Sequence, residues 1–88
     1  MSENESRLVA EFQKNSAEVV RIHFIEWKKT TYMDIRVWYH DGIGDDGDTK
    51  PTTKGLRINA ELLPDLIRAL NEAQRALEAG PEVQVIAN

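Results

Sequence analysis

Cationic and aromatic side chains recur on one side of two neighbouring segments of this sequence. The set comprises Arg21, His23, Tyr32, Arg36 and Trp38, followed or flanked by Trp27, Lys28 and Lys29 and, further on, by Lys50, Lys54 and Arg57. Aromatic rings stack on unpaired bases at roughly 1 to 3 kcal/mol per base, while cations neutralise the phosphates. The pattern therefore favours a surface for single-stranded nucleic acid. The alternative is that Trp27 and Trp38 are ordinary strand aromatics that fill a core or a dimer seam.

The net charge of −4 opposes this interpretation, because phosphate binding depends on cations. The acidic residues, however, concentrate near the two ends of the chain and in the segment 41–48. If that segment lies away from the rest, the surface formed by residues 18–58 is basic although the molecule is acidic.

Two segments alternate with the period of a β-strand. In residues 18–27, Val20, Ile22 and Phe24 oppose Arg21 and His23. In residues 31–39, Met33, Ile35 and Val37 oppose Tyr32, Asp34, Arg36 and Trp38. With the polar connection 28–30 between them, the two segments are predicted to form a hairpin with one apolar face.

The remaining elements follow from turn and helix signals. Residues 41–53 are rich in Gly, Asp and Pro and predict a long loop, and residues 54–58 predict a short strand. Asn59 is suited to cap a turn over 60–63, which leads into a helix from Pro64 to Ala79 that Gly80 ends. That helix is expected to cover one face of the sheet. Residues 1–17 form an arm in which Leu8, Val9 and Phe12 fit either a strand or a turn of helix, residues 18–80 form the domain, and residues 81–88 form a tail.

The ordered set of motifs resembles the single-stranded-DNA-binding domain of the transcriptional positive cofactor four family, including its bacterial and phage relatives. The residues that carry the resemblance are Trp27-Lys28, Asp34-Ile35-Arg36 with Trp38-Tyr39, Lys50-Pro51, Lys54-Gly55 and Asn59 before a leucine-rich helix. The resemblance implies an α+β fold: a curved antiparallel four-stranded sheet followed by one C-terminal helix, in a homodimer formed through that helix and a sheet edge.

The resemblance also implies roles for single residues. Trp27 is expected to stack on bases, together with either Trp38 or Tyr39. Strict alternation puts Trp38 and Tyr39 on opposite faces of the sheet, so only one of these two is expected to stack. Lys28, Arg36 and Lys54 are expected to contact phosphate, and Gly55 to permit close approach of the backbone. The complete predicted nucleic-acid-binding set is Trp27, Lys28, Lys29, Arg36, Trp38, Tyr39, Lys50, Lys54, Gly55 and Arg57.

Composition narrows the remaining possibilities. The 88 residues contain no cysteine, which fits a reducing compartment, and no secretory signal or membrane-spanning run, so we expect a cytoplasmic protein, nucleoid-associated if bacterial. The segment 41–48 does not match a calcium-loop pattern, His23 and His40 lack the spacing of a zinc site, and no catalytic constellation is recognisable. We therefore predict no cofactor and no enzymatic activity.

The predicted function is sequence-independent binding of single-stranded DNA in transcription regulation or DNA maintenance. Two alternatives stay open: a protein-interaction module that keeps the fold, and an RNA-binding protein, because stacking surfaces discriminate poorly between the two sugars. The large aliphatic residues of the helix exceed what one short sheet needs, which independently favours a dimer.

Overall fold

The computed structural model describes residues 5–40 and 49–80, which form four strands, a short 3-10 turn and one α-helix. The strands are β1 Glu5–Gln13, β2 Glu18–Trp27, β3 Thr30–His40 and β4 Thr49–Asn59, followed by the turn Ala60–Leu62 and the helix α1 Leu63–Glu78. The strands pair antiparallel in chain order to give one sheet. The predicted fold, a four-stranded antiparallel sheet followed by a C-terminal helix, is confirmed.

The sheet has two chemically different faces. Val20 lies opposite Val37, and Phe24 lies opposite Met33, so the apolar residues of β2 and β3 share one side. The apolar face, as we call it, comprises Ala10, Phe12, Val20, Ile22, Phe24, Met33, Ile35, Val37, Leu56 and Ile58. The polar face comprises Glu11, Arg21, His23, Ile25, Trp27, Tyr32, Asp34, Arg36, Trp38 and Arg57. The alternation predicted from the sequence is thus confirmed.

The two outer strands differ from expectation. The N-terminal arm, for which the sequence allowed either a strand or a turn of helix, contains a strand. This strand, β1, pairs with β2, with an irregularity in the pairing between Leu8 and Ala10. β4 begins at Thr49, so the prediction of a loop through residue 53 was wrong for residues 49–53. Pro51 is compatible with this position because β4 is an edge strand, where a missing N–H costs least. The acidic segment 41–48 and the tail 81–88 lie outside the described residues.

The helix begins and ends close to the predicted positions. The Asn59 side-chain oxygen accepts a hydrogen bond from Glu61 N at 2.8 Å, and Pro64 lies in the first turn of α1, where it displaces no helical hydrogen bond. At the other end Ala79 N donates to Arg75 O at 3.0 Å, and Gly80 adopts a φ of 97°, which favours glycine. Capping signals therefore located both ends to within one residue.

The expectation that α1 covers a face of the sheet is wrong for the single chain. The helix packs mainly on the short turn that precedes it, and none of its residues is buried. Among the described residues, the only buried apolar side chains are those of Val19 and Met33. Much of the apolar face and the aliphatic stripe of the helix consequently remain open to solvent.

Candidate nucleic-acid interface

The β2–β3 hairpin presents an aromatic ring and two lysines together. Trp27 ends β2 and is 44% exposed, and the Lys28 ammonium lies 4.6 Å from the centre of its ring. Lys28 and Lys29 form the two-residue turn, with φ values of 51° and 66°. Positive φ at both central positions defines a type I′ turn, which normally selects Asn-Gly. Two lysines occupy a backbone conformation that their side chains disfavour, and they place two cations at the tip.

Replacing the turn residues by Asn-Gly (Lys28→Asn with Lys29→Gly) is expected to raise the free energy of unfolding by about 1 kcal/mol, because this pair relieves the left-handed strain. The same change should weaken binding of a single-stranded oligonucleotide severalfold through loss of two cations. Urea unfolding and fluorescence anisotropy measure the two effects. Lys29→Arg is the matched control, since it keeps both the charge and the strained backbone. An Asn-Gly variant with unchanged affinity would show that the lysines do not serve binding.

Asp34 lies at the centre of the polar face and joins two arginines. Its carboxylate accepts from Arg36 Nε at 3.1 Å and Nη2 at 2.8 Å, and from Arg57 Nε at 3.2 Å. Its side chain is only 5% exposed, whereas that of Arg57 is 52% exposed. Asp34 therefore pairs with two neighbouring cations and fixes the direction of both guanidinium groups.

The pKa of Asp34 reflects two opposed effects. Burial alone would raise it, but the hydrogen bonds and positive charge of Arg36, and then of Arg57, outweigh burial and hold the pKa below its usual value of 3.8. The hydrogen bonds to Asp34 correspondingly raise the pKa of Arg36. Asp34 is consequently ionised at neutral pH, and one carboxylate beside two guanidinium groups leaves the cluster with a positive charge.

Arg36 has a structural role beside its predicted phosphate contact. Besides the two bonds to Asp34, its Nη1 donates to the carbonyl of Thr52 at 3.0 Å, so three of its five N–H groups are engaged. Its side chain is 19% exposed. Arg36 ties β3 to β4, whereas Arg57 leaves most of its guanidinium toward solvent.

Trp38 lies on the polar face at the end of the sheet opposite to the hairpin. Its ring centre is 5.4 Å from that of His23, and the Arg21 guanidinium lies 5.1 Å from it. Its indole N–H is buried and finds no acceptor among residues 5–40 and 49–80. Arg21 in turn bonds Glu11 at 2.8 Å. Trp38 is already packed by its neighbours, so Trp27 is the more accessible stacking surface of the two.

Gly55 is required by the sheet itself. It lies opposite Arg36, and a side-chain carbon at this position would come within 2.5 Å of the carbonyl oxygen of Ile35 and 2.8 Å of the Arg36 Cα. Only glycine fits such a close approach of β4 to β3. Gly55 thus has a structural role between β4 and β3, and its place in the nucleic-acid-binding set stays a prediction.

Three predicted contacts lie away from the polar face. Tyr39 pairs with Lys50 in the register and is on the opposite side of the sheet from Trp38, as alternation required. Lys54 is near enough to Glu18 to contribute to lowering the pKa of that carboxyl, after the larger effects of Lys14 and Asn15. Tyr39, Lys50 and Lys54 therefore form a second group at the end of the sheet where β3 finishes.

Two adjoining cavities form a trough along the polar face. One, of about 380 Å³, is lined by Ile25, Trp27, Tyr32 and Arg57. The other, of about 170 Å³, reaches from Arg57 to Trp38 and Pro51, and shares Ile25 and Arg57 with the first. The predicted contact set lacked Tyr32, although the sequence had placed it on the correct side. The pairing of Ile25 with Tyr32, which creates the cavity, follows only from the register.

The trough has an excess of positive charge. Among the described residues, the polar face and its hairpin turn carry five cations, Arg21, Lys28, Lys29, Arg36 and Arg57, and two carboxylates, Glu11 and Asp34. Both carboxylates are paired with arginine. A locally basic and aromatic surface thus exists on a chain whose overall charge is negative.

Comparison with known families decides the relationship. The family model described as Transcriptional Coactivator p15 (PC4) matches residues 14–69, which contain the hairpin, the Asp34 cluster and β4. The chain belongs to the PC4 family. PC4 proteins are a family of DNA-binding, non-enzymatic coactivators. A comparison with curated protein sequences finds no significant match.

Solved PC4 structures have the same fold. A PC4 homologue from Burkholderia pseudomallei K96243 superposes with a TM-score of 0.69 in its orthorhombic crystal form, at 29% identity over 85% of this chain and 97% of that chain. Its tetragonal form gives 0.68, at 30% identity over 80% and 98%. The bacteriophage T5 homologue, implicated in recombination-dependent DNA replication, gives 0.59 at 23% identity over 88% and 83%. The resemblance to the positive cofactor four family that the sequence indicated is confirmed. The T5 homologue, at 23% identity, shows a similar fold only.

Within residues 5–40 and 49–80, no helix combines the length and apolarity needed to cross a bilayer.

Proposed function

We propose that this protein binds single-stranded DNA without strong sequence preference, and that it does so along the trough of the polar face. The observation that carries the proposal is the exposed Trp27 ring beside Lys28, at one end of a groove lined by Arg57 and closed at the other end by Trp38 and Pro51. A duplex hides its bases from such a surface, so unpaired strands gain most from it.

The path of the strand follows from the positions of the cations. From Thr30 to Trp38 the trough extends over nine residues of β3, and the eight steps between them span about 27 Å at the usual rise of a strand. Single-stranded DNA lying along the trough meets Lys28 and Lys29 at the hairpin and Arg57 in the middle. Beyond Trp38 it reaches the second group, Tyr39, Lys50 and Lys54. Along this path the DNA contacts the predicted residues of both faces of the sheet, although they do not all lie on the same face.

The proposal includes a homodimer that joins two such troughs. No described part of the chain covers the aliphatic stripe of α1, and Ile67, Leu70 and Leu77 are each at least half exposed. A second copy can bury these side chains together with the open part of the apolar face and the sheet edge. A molecule of this size with so few buried residues gains most of its stability from such an interface.

The cellular role that fits this activity is transcription regulation or DNA maintenance in the cytoplasm or nucleoid, with no catalytic step. The family relationship supports this assignment, and the basic trough supplies its physical basis. An RNA ligand would use the same contacts, so competition between matched DNA and RNA oligonucleotides distinguishes the two.

Anisotropy of a labelled oligothymidylate at low salt tests the proposal. We expect saturable binding that weakens steeply with added salt, because neutralised phosphates release counterions. Trp27→Ala should weaken binding about tenfold through loss of one stacking surface. Lys28→Ala should lower both the affinity and the salt dependence, whereas Arg68→Ala, which removes an exposed helix cation, should change neither. Absence of binding at tens of micromolar protein would refute the proposal and favour a protein-interaction module.

A further inference from the structure

The larger cavity of the trough has the composition of a site for one planar ligand. Ile25 and Tyr32 lie opposite each other on β2 and β3, Trp27 follows on the same side of β2, and Arg57 closes the cavity from β4. A volume of about 380 Å³ lies near the lower end of small-molecule sites. Two aromatic rings, one aliphatic side chain and one guanidinium therefore surround a space of nucleotide size.

Arg57 is prepared to act as a hydrogen-bonding fork in this cavity. In the described part of the chain only its Nε is engaged, in the bond to Asp34 Oδ1 at 3.2 Å. Both Nη groups keep their N–H donors, and the side chain is half exposed. Because Asp34 fixes the guanidinium from behind, little freedom is lost when the outer donors bind a ligand. Arg36, by comparison, has already directed one Nη to Asp34 and the other to Thr52.

We propose that this cavity takes one guanine base of the bound strand. The O6 and N7 atoms of guanine accept two parallel hydrogen bonds from Arg57, which is the commonest specific pairing of arginine with a base. The ring lies against Trp27 and Tyr32. Adenine presents a donor where guanine presents O6, and pyrimidines lack N7, so neither base satisfies both donors. The inference rests on the proposed function and adds one guanine-preferring position to otherwise sequence-independent binding.

The experiment compares oligothymidylates of about 15 nucleotides, within the range of single-strand sites, that differ at one central base. The central base is thymine, guanine, adenine or 7-deazaguanine, which lacks the N7 acceptor. A single guanine also avoids self-association of the DNA. We expect guanine to bind about tenfold more tightly than thymine, and 7-deazaguanine and adenine to lose most of that gain.

Two protein variants locate the effect. Arg57→Lys keeps the charge but removes the fork. Whatever its affinity for the all-thymine strand, the ratio between its affinities for the guanine strand and the all-thymine strand should fall to about one. Tyr32→Phe keeps the ring and should retain the preference. Circular dichroism and thermal unfolding verify that both variants are folded.

The outcomes separate this inference from the proposed function. If the all-thymine strand binds but guanine adds less than twofold, or if the preference persists with 7-deazaguanine or in Arg57→Lys, the guanine site is wrong and the proposed function stands. If no strand binds, both are wrong. A guanine preference that disappears both with 7-deazaguanine and in Arg57→Lys establishes the site.

Discussion

Leu70→Asp is expected to halve the mass measured by light scattering and to weaken oligonucleotide binding at least tenfold. Leu70 lies in the middle of the helical stripe and is 58% exposed in the single chain. Burial of a leucine side chain contributes about 1.5 to 3 kcal/mol to the free energy of association. In a symmetric dimer the substitution is present in both protomers, so its effect is doubled. A carboxylate placed there must also lose its hydration. Because two linked troughs hold one strand more tightly than either alone, separation of the protomers should lower the affinity as well.

A neighbouring substitution provides the control. Asn71→Asp adds the same charge at the next position, which the helical rotation moves off the aliphatic stripe. It should leave mass and affinity unchanged. If Leu70→Asp unfolds instead of dissociating, the wild-type melting temperature should rise with protein concentration, as expected where folding and association are coupled. A wild-type protein that scatters as a monomer, with a melting temperature independent of concentration, would contradict the dimer.

The sequence predicted the central hairpin well because its two faces differ in chemistry. A shift of one residue would put Val20, Ile22 and Phe24 on the polar side, so the period of two determined the register of β2 and β3. Helix ends were predictable because Asn59 and Gly80 act locally. Local signals were sufficient for both.

Other features depend on partners that the local sequence does not reveal. Residues 49–53 resemble a loop in composition, yet they belong to an edge strand whose residues 49–51 pair with the end of β3, and proline is tolerated in an edge strand. The expected packing of α1 on the sheet failed because amphipathicity shows that a helix needs a cover but does not identify the cover. In the homodimer proposed above, that cover would be a second copy of the chain.

The residue types of the candidate site were predictable from the sequence, but the structural role of each residue was less so. Trp27 and Lys28 lie together and exposed, as their adjacency suggested. The sequence could not show that Asp34 would engage three donors of Arg36 and Arg57, or that Gly55 serves the contact between β3 and β4. Such roles arise from pairings between distant residues and become visible only with the register.

Asp34→Asn should lower the free energy of unfolding by about 2 kcal/mol at pH 7, because it removes the charged acceptor of three hydrogen bonds and leaves the partly buried Arg36 guanidinium without its counter-charge. Urea unfolding at fixed protein concentration measures the change. Asp65→Asn is the matched control, since its exposed pair with Arg68 on α1 contributes at most about 0.5 kcal/mol. A loss for Asp34→Asn as small as that of the control would show that the cluster does not stabilise the fold.

The same substitution should flatten the acid limb of the stability profile. The folded pKa of Asp34 lies below the unfolded value, so its contribution is complete above about pH 4 and is lost as the pH falls through the folded pKa. The free energy of unfolding of the wild type should therefore decrease more between pH 5 and about pH 3 than that of Asp34→Asn. Equal decreases would place the acid sensitivity in other carboxylates, such as Glu18.

Stability and recognition meet at this carboxylate. Without its charge, the trough becomes more positive, so the folded Asp34→Asn variant should bind oligothymidylate at least as tightly as the wild type. Arg57 would then lose its anchor, and the preference for a single guanine should fall although every residue of the cavity is retained. Tighter but less selective binding would show that Asp34 orients the arginine fork, while the remaining cations supply the general attraction.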